Sequence, residues 1–406
     1  MFFVVKMRHV LYILIGLILL TVGVVCGLKY GTPPAVHVEA DEIQEIQQTD
    51  ETPADGAGAP TAQPAASPAP TAAGKDFIKW VEFGVPYTAM RDALQYDIDT
   101  HNTETPLSWV TLLAYLGAKH GGDFSNYKKS ELDALAKQLT DGASIEELTK
   151  DMQYYPYYQK AYGAVLNGFV GTYRIEKKAE DSETVQWTDA YGLKVFSPIA
   201  KGYAYNDFDD FGAARSYGYK RQHLGHDMMA LVGTPVVAVE SGTVEAVGWN
   251  QYGGWRIGIR SFDRQRYYYY AHLRKNMPYN ASVKIGATVK AGDVIGYVGR
   301  TGYSTTENVN NIDDPHLHFG IQLIFDESQK DSNNEIWIDC YQIIQLLEHN
   351  RVETVKNPET KEYSRVYDFY EPALDQEHPP LAQDAQPDPD DSTDAGDGAP
   401  AQTDAG

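Results

Sequence analysis

Two hydrophobic periods divide this chain. From residue 77 to about 175, apolar residues recur every three or four positions, as in Trp109, Leu112, Leu113 and Leu116, the spacing of one helix face. Thr105-Pro106 reads as an N-cap followed by proline at the first helical position. Ser130-Glu-Leu-Asp133 and Ser144-Ile-Glu-Glu147 read as capping boxes. Gly121-Gly122 is the expected end of one helix, and Gly163, Gly168 and Gly171 punctuate the last. The aromatic run Tyr154-Tyr-Pro-Tyr-Tyr158 is expected to pack helices together rather than to form a binding face. From about Leu193 the period falls to two. Val236-Val-Ala-Val239, Thr243-Val-Glu-Ala-Val247, Trp255-Arg-Ile-Gly-Ile259, Val294-Ile-Gly-Tyr-Val298 and His318-Phe-Gly-Ile-Gln-Leu-Ile324 are strand-like. Gly and Pro separate them at short intervals, as in an all-β antiparallel sheet or barrel. Tyr267 to Tyr270 predicts one more strand, with two rings buried and two outward. After Cys340 a short helical or irregular end is expected.

The flanks follow neither period. Val10 to Leu28 is apolar and uncharged, and Lys6 and Arg8 precede it. That length suits one helical crossing of a bilayer, which takes about 20 residues. The basic side predicts a cytoplasmic N-terminus with the bulk of the chain outside. No small-residue cleavage pattern follows, and Val25 stands where a lipoprotein signal wants a small residue before Cys26, so the segment is expected to remain as an anchor. Residues 31–76 are rich in Ala, Pro, Thr and acid and predict an extended spacer. The chain thus divides into an anchor (1–30), a linker (31–76), a helical domain (77–175), a β domain (176–350) and a C-terminal extension with an acidic tail (351–406).

The net charge of −22 changes this picture little. Ten acids and no Lys or Arg lie between Glu371 and Gly406, so much of the charge belongs to a solvated tail. An acidic chain also excludes nucleic acid as a partner, since a phosphate-binding surface must be basic. With only Cys26 and Cys340, no disulfide framework is available.

The candidate chemistry lies in the β region. His223-Leu-Gly-His-Asp227, Tyr270-Ala-His-Leu273 and Pro315-His-Leu-His-Phe319 occur in that order. His316 and His318, two apart in a strand, share one face. His223 and Asp227 would suit one helix face, but Gly225 and the strand signal at Thr234-Pro-Val-Val-Ala238 argue for a loop leading into the sheet. A zinc hydrolase needs this inventory: three ligands, an open position, and further histidines to handle protons. His101 and His120 have no ligand-like companions and are expected to be surface or cap residues.

Around these histidines, Gly225-His-Asp227, Gly233-Thr-Pro-Val-Val-Ala238, Gly242-Thr-Val244, Val289-Lys-Ala-Gly-Asp-Val-Ile-Gly296 and Gly299-Arg-Thr-Gly302 complete a pattern. From about Phe196 to Ile324 it resembles the lysostaphin-like, LytM-type zinc endopeptidases that cut peptidoglycan peptides. The resemblance implies a duplicated hybrid motif, an antiparallel β-sheet or barrel. It implies one zinc ion held by His223, Asp227 and His318, with His272 and His316 assisting catalysis on peptidoglycan stem peptides outside the membrane. His226 stands where the family is often apolar and is expected to neighbour the site without ligating. Gly320 stands where an acid is common. The insertion Glu307 to Asp313 is expected to shape a groove rim. The alternative is a non-catalytic wall-binding or envelope-assembly scaffold on the same fold. Val289 to Val298 also resembles lipoyl and biotinyl barrels, but no carrier lysine stands between hydrophobic neighbours, and the anchor opposes that reading.

Overall fold

The computed structural model describes residues 77–179, 184–216, 220–330, 334–376 and 378. The expected membrane crossing, the spacer and the tail beyond residue 378 lie outside them. No helix among the described residues is long and apolar enough to cross a membrane.

Five helices come first: α1 (Tyr87–Thr100), α2 (Trp109–His120), α3 (Lys129–Thr140), α4 (Ile145–Thr149) and α5 (Tyr155–Leu166). Two of the expected caps are corrected. Helix α2 is capped by Ser108, whose side chain accepts from Thr111 N, and not by Thr105. The chain before it is tied to α1 instead, because Thr100 Oγ1 accepts from Leu107 N (2.8 Å) and the buried Asp97 accepts from Trp109 N (2.9 Å). Helix α3 starts at Lys129 with no side-chain cap, so Ser130 lies inside it. Ser144 does cap α4, accepting from Glu147 N at 3.2 Å. Gly121 ends α2 at φ +65°, a left-handed conformation that glycine adopts without steric cost. The tyrosine run packs helices as expected. Tyr158 lies against Gly117 of α2, where a Cβ would fall 3.0 Å from its ring, and meets Tyr162 edge-on at 5.3 Å.

The sheet begins at Val170, inside the segment expected to be helical. Strands β1 (Val170–Lys178) and β2 (Val185–Leu193) form an antiparallel hairpin with register Val170↔Leu193. Thereafter come β3 (Tyr205–Asp207), β4 (Ala214–Ser216), β5 (Lys220–Gln222), β6 (His226–Ala230) and β7 (Pro235–Val237). Next are β8 (Gly242–Asn250), β9 (Gly254–Ser261), β10 (Arg266–Ala271), β11 (Thr288–Val289) and β12 (Val294–Tyr297). The chain closes with β13 (His316–Leu323), β14 (Ile336–Ile338), α6 (Tyr341–Leu347), β15 (Thr354–Lys356), β16 (Tyr363–Arg365) and β17 (Phe369–Tyr370). The main antiparallel sheet runs β11-β8-β9-β10-β13-β6-β3, with β14 beside β13. β17 returns to pair with β1.

Strand β10 departs from the expected alternation: Tyr267, Tyr268 and Tyr270 are all buried. Its second face is covered too, by the Lys330 ammonium over the Tyr267 ring (5.2 Å) and by Trp337 edge-on to Tyr269 (6.0 Å). One contiguous core joins helices to sheet, from Leu112, Leu113, Val165 and Leu166 to Val239, Tyr268, Ile321 and Leu347.

Cys340 is wholly buried in that core, and burial pushes its thiol up well beyond its ordinary range. The thiolate is the reactive form. Cys340 is therefore expected to resist iodoacetamide in a native Cys26→Ser protein and to be labelled fully in denaturant, as read by mass spectrometry. Rapid native labelling would contradict the packing described.

Candidate metal centre

Strand register alone brings most of the candidate residues together. In β13, His316 and His318 share a face. Cross-strand pairing sets His318 opposite Asp227 of β6 and opposite Ala271 of β10. His272 follows directly on Ala271, and His223 arrives from the loop between β5 and β6. That loop is fixed by backbone bonds from His223 N to Ala213 O (2.9 Å) and from Gly212 N to His223 O (2.7 Å). It also passes close over β13. A Cβ on Gly225 would lie 2.5 Å from the His318 ring, so only glycine fits there without displacing a site residue. His226 alternates away from Asp227 and is buried on the other side, 2.9 Å from Asp207 and edge-on to Tyr341. It neighbours the site without facing it. His120 bonds Glu131 at 2.7 Å and His101 stacks on Tyr191 at 3.4 Å, both away from this centre.

Three donor atoms converge. His223 Nε2 lies 3.1 Å from Asp227 Oδ1 and 3.2 Å from His318 Nδ1, and the third edge, His318 Nδ1 to Asp227 Oδ1, is 2.8 Å. A tetrahedral zinc with bonds of ~2.0–2.1 Å holds its ligand atoms about 3.3 Å apart. Two edges match within 0.2 Å and the third is somewhat tighter. Two imidazole nitrogens meeting with a carboxylate oxygen is also a donor set that zinc takes. Among the described residues this is the one group of three such side chains able to share an ion. Burial raises the Asp227 carboxyl, but the His223 and His318 imidazoles set against it outweigh that and hold the group well below the usual carboxylate range. The ligand is thus ionised at neutral pH.

His272 and His316 stand beside the triad. Their rings are 4.8 Å apart, and His316 Nε2 is 3.8 Å from Asp227 Oδ1. Each ring bonds a backbone carbonyl through Nδ1: His272 to Thr301 O at 2.9 Å, His316 to Asp314 O at 2.8 Å. A carbonyl only accepts, so Nδ1 carries a proton, and in the neutral ring that leaves the lone pair on Nε2. Burial first, and then the neighbouring His316 and His318, push the His272 imidazole well below its ordinary range, so it is neutral. His272 also adopts φ +60°, a rare conformation for a residue with a side chain. Within the insertion between Glu307 and Asp313, Asn308 accepts from the Trp255 indole (2.9 Å) and from Asn276 N (2.8 Å).

Two site residues carried no signal that the sequence reading used. Asp210 Oδ1 lies 3.0 Å from His223 Nδ1, on the side of the ring away from the triad. Arg215 reaches Asp227 Oδ2 at 2.7 Å through Nη1 and Asp210 Oδ2 at 2.5 Å through Nη2.

The antiparallel sheet thus brings two imidazoles and one carboxylate to a point, the donor set of a metal centre, with two further histidines alongside. Residues 221–333 match the family model described as Peptidase family M23. Within the matched segment, His223, Asp227 and His318 are the three side chains able to share one metal ion. The chain is 41% identical over 124 residues to an L-Ala–D-Glu endopeptidase of Bacillus subtilis, covering 30% of this chain and 36% of that protein. It is 37% identical over 144 residues to lysostaphin of Staphylococcus simulans, covering 35% and 24%. To the peptidoglycan DD-endopeptidase ShyC of Vibrio cholerae it is 36% identical over 102 residues, covering 25% and 20%. The matched region thus spans about a third or less of the length of these relatives.

Proposed function

We propose that this chain is a zinc-dependent endopeptidase that hydrolyses peptide crosslinks of peptidoglycan. In this reading Val10–Leu28 holds it in a membrane, N-terminus inside, and residues 31–76 extend the folded part towards the wall. The observation that carries the reading is the site's division of labour: three converging donors for a metal, and two carbonyl-held histidines that each keep an Nε2 lone pair. The printed names of two relatives, an L-Ala–D-Glu endopeptidase and a peptidoglycan DD-endopeptidase, support wall peptide as the substrate class.

Bound zinc would polarise the scissile carbonyl and lower the pKa of a water towards ~7. The chain's own residues do the rest. His272 starts neutral, and in a neutral ring with its proton on Nδ1 the Nε2 atom can only accept a proton. One of them takes the proton of the attacking water at Nε2 and becomes a donor. From that atom the proton passes to the developing oxyanion or to the leaving amine. The carbonyls of Thr301 and Asp314 hold the rings in the tautomer this requires and favour the imidazolium that forms.

The test is digestion of purified peptidoglycan of defined crosslink type, followed by mass spectrometry of the products. New amino groups at peptide bonds are expected. Chelation should abolish them and stoichiometric zinc should restore them. A zinc-loaded protein that binds wall but releases no new amine would instead be a non-catalytic scaffold.

A further inference from the structure

The oxygens of Asp227 are used unequally. His223 Nε2, His318 Nδ1 and His316 Nε2 all address Oδ1, whereas Oδ2 faces Arg215. The guanidinium forks between two carboxylates, Asp227 and Asp210, and Asp210 in turn meets the outer nitrogen of His223. Arg215 Nη2 is also 3.1 Å from that nitrogen. A guanidinium only donates, so if both address Asp210 the two nitrogens are simply neighbours on one carboxylate. All three side chains are substantially covered, with 25% of Arg215, 32% of Asp210 and 12% of Asp227 exposed.

We propose that Asp210 and Arg215 are positioning residues of the metal centre. Asp210 keeps the His223 proton on Nδ1 and so aims the Nε2 lone pair at the ion, and Arg215 reserves Asp227 Oδ2 so that this carboxylate ligates through Oδ1 alone. The inference rests on the metal reading given above. Its first half is the carboxylate–histidine arrangement that fixes tautomer and ring orientation in metal sites. Its second half concerns coordination number. A carboxylate that gave both oxygens to the ion would raise its coordination number and crowd the position a catalytic zinc keeps open for water. Only a planar fork can hold Oδ2 and Asp210 at once, so lysine is not an equivalent residue here.

Simple Coulomb repulsion makes the opposite prediction. Arg215 is a cation close to a divalent cation, so on charge alone its removal should tighten zinc binding. The sign of the change therefore decides between the two accounts. The experiment uses the full-length chain in detergent with Asp210→Asn, Arg215→Met and Arg215→Lys, each checked for folding by circular dichroism. Zinc affinity is measured by competition with a chromophoric chelator, and coordination number by the visible absorption of the cobalt(II)-substituted protein. Asp210→Asn is expected to weaken zinc roughly 10- to 100-fold, and so is Arg215→Met, because loss of the fork also releases Asp210 from the His223 ring and this outweighs the added carboxylate oxygen. Arg215→Met should also lower the cobalt band intensity, as a four-coordinate ion gains a ligand. Arg215→Lys keeps the charge but not the fork and should recover neither property fully.

Unchanged or tighter zinc binding in folded Arg215→Met, or a wild-type cobalt spectrum there, overturns the proposal. Full recovery by Arg215→Lys overturns the role of the fork. Should Arg215→Met fail to fold, Asp210→Asn and Arg215→Lys decide the question in the same way. A wild-type chain that binds no zinc would instead overturn the metal reading itself, which keeps the two failures distinct.

Discussion

His316→Ala is expected to leave zinc binding within about twofold of wild type while lowering turnover on peptidoglycan by ~10²–10⁴, the range for removing a general acid–base group. The geometry separates the two effects. His316 Nε2 is 3.8 Å from Asp227 Oδ1, outside the cluster of three donors that meet within 3.2 Å. Its ring is held by Asp314 O, so deleting it removes a proton acceptor without unpairing a ligand. His272→Ala should act likewise, with no relief of backbone strain, since φ +60° suits alanine no better than histidine. The double variant should be little worse than either single one, because residues that move one proton act as a unit. His318→Ala and Asp227→Ala should instead lose both zinc and turnover. The measurement is paired: zinc stoichiometry after dialysis, and rate of amine release. Full cleavage by a His316→Ala protein would remove that residue from the mechanism, and loss of its zinc would move it into the ligand set.

The histidines could be read from the sequence because strand geometry is local. Two residues apart on a strand means one face, and the register did place His316 and His318 together. The loop reading of His223 also follows from chain-local signals, Gly225 before a strand. Asp210 and Arg215 could not be read in the same way. Asp210 ends an acidic stretch, Asn206-Asp-Phe-Asp-Asp210, where nothing local separates a carboxylate aimed at a histidine from one facing solvent, and Arg215 follows in Phe211-Gly-Ala-Ala-Arg215 with no motif around it. Their partners are 12 and 13 residues away, across a turn whose path only the fold supplies. The β1–β2 hairpin was missed for another reason. Neither of its faces is well buried, so Val170-Gly-Thr-Tyr-Arg-Ile-Glu-Lys-Lys178 shows no clean alternation of apolar and polar positions. The cap of α2 was misplaced because Thr105-Pro106 is a sound local signal overruled by Asp97 and Thr100, both tertiary partners from α1.

Arg266→Met is expected to destabilise the fold by about 3–5 kcal/mol, the range for breaking a buried ion pair from one side. Arg266 is fully buried at the start of β10. Its guanidinium donates to Glu240 through Nε (2.8 Å) and Nη2 (3.1 Å), to Asp263 (2.6 Å) and to Ala164 O (2.6 Å). Ala164 lies in the last turn of α5, where carbonyls have no partner within the helix, so this one contact closes the helix end onto the sheet. The approach is close: a Cβ on Gly168 would fall 1.9 Å from Glu240 Oε1. Removing the arginine leaves Glu240 buried with the Tyr268 hydroxyl (2.5 Å) as its remaining side-chain partner among the described residues, and it unpairs the helix carbonyl as well. Adding Glu240→Leu removes the stranded charge and should recover a substantial part of the loss. A double-mutant cycle by urea denaturation therefore measures the coupling directly. A single-variant loss below about 0.5 kcal/mol, the level of an ordinary surface change, would mean that the pair does not hold helices to sheet. The same strand ends at Ala271, immediately before His272. If the anchor at Arg266 also fixes β10 along its length, the folded fraction of Arg266→Met should show reduced turnover with zinc still bound, a result that stability loss alone would not produce.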